Sequence, residues 1–551
     1  MKTTNSAPLK TLKLLFALII KNSKDFALNI LFFGLLVSVL SLAIPLSVQT
    51  LVNSISFTSL NQPIAVVSIL LFIVLISSAI FQVLQTWLID LFHRKVFAHL
   101  GSEVANRIYL AKAELYKNQN VPELINRFFD IFTLQKSLAT LMTDGFALFL
   151  QLTIGLLFIA FYHPLFLAFD AFLILYLFCI WFFFGQKAIQ TAINESKAKY
   201  KFVNWLEQSS KAYELLAATK VKTITYQKSE NYISSYVEKR KQHFTYLLAQ
   251  TIMLTTLFAI SSSLLLGLGG YLVNQNQLSL GQLVAAEIIV TSILINLSKS
   301  SKYLELFYDL VAACEKISHL FSFKIEQKNN KIRSFDRIDI SIKDIYISNR
   351  DKYFQLSLDI PFKNKVYFHV NESSCKEILL DHLFGQNNTG SGHLFINNEK
   401  SNNIPIQDLR LNIYDCGYPN FIEGSIKDNL TLGLSNIDDK EIYKVLELLE
   451  LEESISTFNK QLNTLMLPNG SPLWKSQLPR LDIARAILLK PKVLILNESF
   501  QLLSKERQDK VLDYITSSEH SWTVLHFDKQ PTNSKRYDQI VSLKWERKNE
   551  Y

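Results

Sequence analysis

The chain has 551 residues, of which 49% are hydrophobic and only 19% are charged. A soluble chain carries roughly a quarter charged residues, so much of this one faces lipid rather than water. Low charge with 39 Phe and 22 Tyr excludes a disordered chain, and four cysteines exclude a disulfide scaffold; a net charge of +9 would admit a nucleic-acid binder, but its distribution points elsewhere.

Six stretches reach the length and apolarity of a membrane-spanning helix, which takes about 20 residues. In chain order, Lys2, Lys10, Lys13, Lys21 and Lys24 precede the first, Phe26–Val52. Its apolar run is too long for a cleaved signal peptide, and no small-residue cleavage pattern follows Pro45 and Gln49. The loop Asn53–Pro63 carries no charge, and Ala65–Ile89 is the second span. The segment from His93 to Lys136 is basic and helical in pattern, interrupted at Asn120-Val121-Pro122-Glu123-Leu124, where Pro122 lacks an amide donor. Gly145–Tyr162 and Pro164–Phe184 follow, joined by a turn without Lys or Arg. A second basic segment, Lys187 to Lys241, is interrupted around Glu214–Thr225. The last two spans are Ala249–Val273 and Leu283–Leu297, across the neutral turn Asn274–Gln277.

This alternation places both termini and both long loops in the cytoplasm by the positive-inside rule, and makes the basic balance a topology signal beside anionic lipid headgroups. The long loops are helical in pattern, so the spans are expected to continue past the membrane surface as hairpins whose tips contact a soluble domain. Trp181-Phe182-Phe183-Phe184 reads as an interfacial aromatic belt. Asp170 falls inside the fourth span and Glu287 inside the sixth; an intramembrane carboxylate is either a functional site or a hydrogen-bonded link between helices. Asp90 and Asp144, near span ends, read as solvated.

Lys324–Ser334 (KIEQKNNKIRS) is a polar linker. From Phe335 onward, short β-type runs such as Val366–Val370 and Val493–Leu496 alternate with helical segments such as Asp439–Leu451, the pattern of an α/β domain with a partly parallel sheet. Cys179, Cys314, Cys375 and Cys416 show no CxxC spacing and read as free thiols.

Six spans with long basic loops, followed by one α/β domain, resemble half of an ATP-binding cassette exporter over essentially the whole chain. Ile44–Asn53 (IPLSVQTLVN) and Glu123–Ser137 (ELINRFFDIFTLQKS) resemble the exporters that secrete bacteriocins and toxins. Ile483–Leu496 (IARAILLKPKVLIL) is similar to the family's helix-then-strand segment. Ile413–Gly433, with Glu423-Gly424-Ser425-Ile426 and Asp428-Asn429, resembles the segment after its glutamine loop. The resemblance implies an α-helical membrane domain of six transmembrane helices (26–323) after a cytoplasmic tail (1–25), then a P-loop-NTPase-like cassette (335–551). It also implies ATP and Mg²⁺ as cofactors and a dimer of halves, either a homodimer or a heterodimer with an intact half. The bacterial cytoplasmic (inner) membrane is the implied location, with peptide, protein or hydrophobic cargo and no nucleic acid. The tail is too short for the processing peptidase domain that some peptide exporters carry.

At the family's nucleotide stations the residues depart together. Val370-Asn371-Glu372-Ser373-Ser374-Cys375-Lys376-Glu377 stands where a glycine-rich phosphate loop belongs. Val370, Ser373 and Cys375 replace glycines, Glu377 replaces the Mg²⁺-binding hydroxyl, and Lys376 alone matches, either as a phosphate ligand or as a solvated lysine. Tyr418 stands near the γ-phosphate-sensing Gln, with Gly417 competing for that position. The signature is Leu473-Trp474-Lys475-Ser476-Gln477, in which only Gln477 survives. Asn497 replaces the metal-associated Asp; Glu498, at the general-base position, is a catalytic candidate or equally a helix cap. The loop Gln501–Ser504 lacks its Asp. Lys529 takes the switch-His position, while His526 lies three residues early in a strand and reads as a core residue. The adenine-stacking aromatic falls near Asn349, with Tyr346 or Tyr353 as substitutes. These concerted losses lead to the expectation of a folded, dimer-competent pseudo-ATPase. A non-transporting membrane scaffold or regulator, and a homodimeric exporter with an atypical ATP site, are the alternatives.

Overall fold

The computed structural model describes residues 8–57, 62–111, 121–216, 219–298, 300–322, 325, 333–349, 351–386, 391–530 and 534–547. The chain divides into two compact units, Met1–Ile325 and Glu326–Tyr551. Most of the predicted linker lies outside the described residues.

The first unit is helical and, among the described residues, contains six helical segments long and apolar enough to cross a membrane. They match the six predicted spans and overrun most of them. Gln62–Tyr109 has 48 residues and Thr219–Asn274 has 56. At about 1.5 Å per residue these reach about 70–85 Å, far beyond the ~30 Å hydrocarbon layer. Along Gln62–Tyr109, Val66, Ile69, Leu70, Phe72, Ile73, Ile80 and Val83 point outward, a surface that suits lipid and not water.

Local sequence explains the interruptions. The first span breaks at Ser41–Leu42, between the helices Pro8–Leu40 and Ala43–Phe57. Pro45 lacks the amide that would bond the carbonyl of Ser41 and its ring crowds that carbonyl, so the helix restarts there. Helix formation from Pro8 also means that most of the predicted tail is already helical. The fourth span starts at Pro164, where the missing donor costs nothing, and the His163 ring nitrogen Nδ1 accepts from Leu165 N at 3.2 Å. Leu141–Gly145 and Trp181–Gly185 are π-helical turns. Gly185 is required at the second, because a Cβ there would lie 2.9 Å from the Trp181 indole.

The break expected at Asn120-Val121-Pro122-Glu123-Leu124 falls where the helix Val121–Asn126 starts, with Pro122 in its first turn, where proline is tolerated; residues 112–120 are outside the described set. The interruption predicted at Glu214–Thr225 is narrower: Tyr213–Leu216 is a helical turn and helix resumes at Thr219. The helix Ser301–Phe321 packs Leu310, Cys314 and Ile317 against Ile131, Leu134 and Leu138 of Asp130–Thr140. It sets Tyr308, Val311 and Ala312 against Ala188, Ile189 and Ala192 of Gln186–Lys211.

The second unit is α/β. Its main sheet runs, from edge to edge, Gln539–Leu543, Lys365–Val370, Thr523–Asp528, Val493–Leu496 and Ile413–Cys416, with every neighbouring pair parallel. Val493–Leu496 is buried at every residue, as expected of a parallel strand covered on both faces. An antiparallel sheet built on Ile340–Asn349 and Lys352–Ile360 packs Ile345 and Phe354 into one core with Val366, Phe368 and Leu525. The other core gathers Leu446, Leu481, Ile487 and Phe500 under the helices Asp439–Leu448 and Leu478–Leu489.

Candidate functional site

The parallel sheet fixes where the cassette stations meet. Only Asn371 and Glu372 separate the strand Lys365–Val370 from the helix Ser373–Leu383. The amide of Cys375 already bonds the carbonyl of Glu372 at 3.1 Å. Among the described residues with positive φ none lies between Val370 and Glu377. A phosphate cradle needs successive amides turned inward by permissive dihedrals. Without glycine, this segment winds into the first helical turn instead. Glu372 precedes that turn and pairs with Lys352 at 3.5 Å, while the Trp545 indole donates to Ser374 Oγ at 2.9 Å. Glu377 is exposed.

Lys376 is buried, and its ammonium is taken up inside the protein. It donates to Asn497 Oδ1 at 2.9 Å and forms an ion pair with Glu498. Asn497 Nδ2 in turn donates to Asp415 Oδ1 at 3.2 Å. Burial pushes the Asp415 carboxyl up to about 6; the bond from Asn497 opposes this and the nearby Glu498 charge adds to it. Lys376, Asn497, Glu498 and Asp415 thus form one closed polar chain. Glu498 heads the short helix Glu498–Gln501, but its side chain is turned onto Lys376. A solvated Lys376 does not match this arrangement.

Gly417, not Tyr418, adjoins this chain. A Cβ on Gly417 would lie 3.8 Å from both Asp415 Oδ2 and Glu498 Oε2, and its carbonyl accepts from the Ser499 amide at 3.0 Å. Tyr418 is 74% exposed. At the signature station, Gln477 closes a local turn: its Oε1 accepts from Trp474 N at 2.9 Å and its Nε2 donates to Ser454 Oγ at 2.8 Å. It precedes the helix Leu478–Leu489, and Trp474 projects outward, 77% exposed. Lys529 is exposed, and its amide bonds Asp528. His526 is a core residue: Nδ1 lies 2.6 Å from Tyr537 Oη, and the ring stands edge-on to Tyr367 and Phe500. Burial lowers its pKa to about 4, so it is neutral near pH 7. Tyr346 and Tyr353 stack on each other at 5.7 Å.

These residues do not fit Mg²⁺-ATP in this arrangement. The cradle is wound into helix, the one retained cation is neutralised by Glu498, and Glu372 and Glu377 flank the turn with like charge to the ligand. Reading motif by motif missed the Lys376–Glu498 pair. Its only trace in the sequence is that a Lys and a Glu survive while the residues they would serve are lost.

In the membrane unit, Asp170 is buried beside Phe166, Phe169 and Leu173, with Oδ1 unpartnered. Asp90 is exposed and paired with Arg94, and Asp144 is exposed beside Tyr303. All four cysteines are free thiols. Glu287, the other intramembrane carboxylate, borders a cavity.

Residues 27–297 match the ABC transporter transmembrane region. The first unit is thus similar to the membrane region of ABC transporters. The whole chain superposes on a solved bacterial Atm1-family ABC exporter with ATP bound, at a TM-score of 0.80 over 95% of this chain and 94% of that one, with 15% identity. It therefore has the ABC exporter fold. It is 22% identical over 337 residues to an uncharacterized ABC transporter ATP-binding protein of Haemophilus influenzae, covering 58% of this chain and 60% of that protein. It is 23% identical over 477 residues to the lactococcin-G-processing and transport ATP-binding protein of Lactococcus lactis subsp. lactis, covering 84% of this chain and 67% of that one. A multidrug resistance ABC transporter ATP-binding and permease protein of Lactococcus lactis subsp. lactis is 23% identical over 62% of this chain and 59% of its own length. The chain thus spans about three fifths of the length of the Haemophilus and multidrug relatives.

Proposed function

We propose that this chain is one half of a dimeric ABC exporter whose cassette does not hydrolyse ATP, and that it works with a catalytic half to export peptide or protein cargo. The observation that carries this reading is the Lys376–Glu498 ion pair: the cation that would hold phosphate and the carboxylate that would activate water neutralise each other across the turn. The helical winding of Ser373–Cys375, the outward Trp474 and the burial of His526 as a core residue all support it. Peptide cargo is supported by the similarity to the lactococcin-G transporter. Basic segments on one side of the spans favour the bacterial cytoplasmic membrane with both termini inside.

ATP hydrolysis by the purified chain in lipid nanodiscs, beside Glu498→Gln, tests this. The expected result is no hydrolysis in either protein and no saturable binding of a fluorescent ATP analogue. A second reading, a homodimeric exporter with an atypical ATP site, is favoured by the retention of Lys376 and Glu498 side by side. Hydrolysis that disappears in Glu498→Gln would select it and refute the first.

A further inference from the structure

We infer that Asp309 is a proton switch: while it is uncharged the helix Ser301–Phe321 closes on Gln186–Lys211, and when it ionises the two helices are pushed apart. The inference concerns regulation and stands independently of the export reading.

Asp309 borders a cavity of about 60 Å³ together with Asp130, Glu195, Lys199 and Tyr236. These residues come from four helices of this chain, Asp130–Thr140, Gln186–Lys211, Thr219–Asn274 and Ser301–Phe321. Glu195 is eleven residues beyond Phe184 and Asp309 twelve beyond Leu297. At ~1.5 Å per residue that is about 16–18 Å past the predicted spans, so the junction stands outside the apolar layer. The cavity has space for a few waters, which give protons a way in and out.

Four carboxylates meet two cations here. Arg240, on Thr219–Asn274, is shared, at 3.3 Å from Glu195 and 3.1 Å from Glu305. Lys199 stands 3.6 Å from Asp130 Oδ1. Further along Ser301–Phe321, Glu315 is already answered by Lys316 at 2.8 Å and Lys197 at 3.8 Å. Of the four carboxylates, Asp309 alone forms no hydrogen bond or ion pair among the described residues, and Glu305 stands one turn before it with like charge. Burial and the charges of Glu305 and Glu195 outweigh Arg240 and Lys199, and push the Asp309 carboxyl up to about 6.

Asp130 adds a second demand. It is 5% exposed, and its Oδ2 is buried without a hydrogen-bond donor. A proton on Asp309 therefore cancels one surplus charge and adds an O–H to a cavity with an unserved acceptor. No group of three His, Cys, Asp or Glu placed to hold a metal ion occurs among the described residues, so the donor set suits a proton better than a metal. His243 is the other titratable group on these faces, edge-on to Tyr308 with Nδ1 3.1 Å from Thr191 Oγ1. It gains charge on acidification where Asp309 loses it, so its effect on packing is opposite.

Tyr308, Val311 and Ala312 already pack on Ala188, Ile189 and Ala192, so repulsion between Asp309 and Glu195 works against an apolar contact in place. Ser301–Phe321 starts afresh after Leu280–Ser298 ends, which leaves it free to tilt while the span stays.

The test places nitroxide labels at Gln190→Cys and Lys302→Cys, both exposed, in the full chain in lipid nanodiscs. Cys179→Ala removes the one native cysteine that is not buried, and singly labelled chains report any distance between copies. Double electron–electron resonance then reads the spacing of the two helices from pH 4.5 to 8. The spacing should be short below and long above a midpoint near pH 6. Asp309→Asn, uncharged at every pH, should hold the short spacing throughout, and Asp309→Glu should keep the step. Glu305→Gln removes a like charge and should lower the midpoint by at least about half a pH unit, which keeps the inference testable if Asp309→Asn does not fold. A spacing indifferent to pH, or a midpoint unmoved by Glu305→Gln, overturns the inference. A step that survives Asp309→Asn also overturns it, and loss of that step in His243→Gln would assign it to His243 instead. The assay needs neither nucleotide nor cargo, so failure of the export reading leaves its outcome unchanged.

Discussion

Lys376 offers the sharpest check on the cassette reading, because its side chain and that of Glu498 are 10% and 23% exposed and lie in contact. Replacing Lys376 by Met removes the only cation from the chain that links Glu498, Asn497 and Asp415. Breaking a buried ion pair from one side costs about 3–5 kcal/mol; partial access of water to Glu498 brings the expectation down to about 2–4 kcal/mol. For a domain of this size each kcal/mol moves Tm by about 2–4 °C, so the cassette transition should fall by about 4–16 °C. Glu498→Gln should be destabilising as well, because Lys376 then stays buried with only neutral partners. The double variant Lys376→Met/Glu498→Gln should lose clearly less than the sum of the single losses, since each change removes the other's unpaired charge. Differential scanning fluorimetry on the full chain in nanodiscs reads all four corners of this cycle. An unchanged Tm for Lys376→Met, or strict additivity, would mean that Lys376 is a solvated lysine and would remove the main support for a self-neutralised site.

Three further expectations concern pH and packing. Burial lowers His526 from 6.5 to about 4, so its share of stability is present above pH 6.5 and is lost as pH falls towards 4, by roughly 3 kcal/mol. The Asp415 carboxyl is raised to about 6, so its share has the opposite sign, falling as pH rises from about 4 to 6. Tm measured from pH 4 to 8 should therefore lose its acid-side decline in His526→Leu. Asp415→Asn should gain Tm at pH 7.5 and gain less at pH 5; a uniform gain would refute the assignment. Gly185→Val should lower the melting temperature of the membrane unit, because its side chain would collide with the Trp181 indole, and Trp181→Ala in the same chain should restore part of the loss.

Much of the fold is local information and was legible in the sequence. Apolar runs of sufficient length specify spanning helices whatever surrounds them, and the β-type runs Val366–Val370 and Val493–Leu496 fall within or coincide with observed strands because parallel strands covered on both faces must be apolar throughout. Val370–Glu377 contains no glycine, and among the described residues none of that segment has a positive φ. What local pattern cannot give is which distant side chains meet. Lys376 and Glu498 are 122 positions apart, and they touch because sheet order sets Thr523–Asp528 between the strands that lead into each of them. That same order puts Gly417 and not Tyr418 beside Glu498. In the membrane unit, the sequence marks two carboxylates of equal cost. Packing alone buries Asp170 within its own helix layer and leaves Glu287 at the edge of a cavity, since helical periodicity gives a side chain's direction but not the neighbour it meets there.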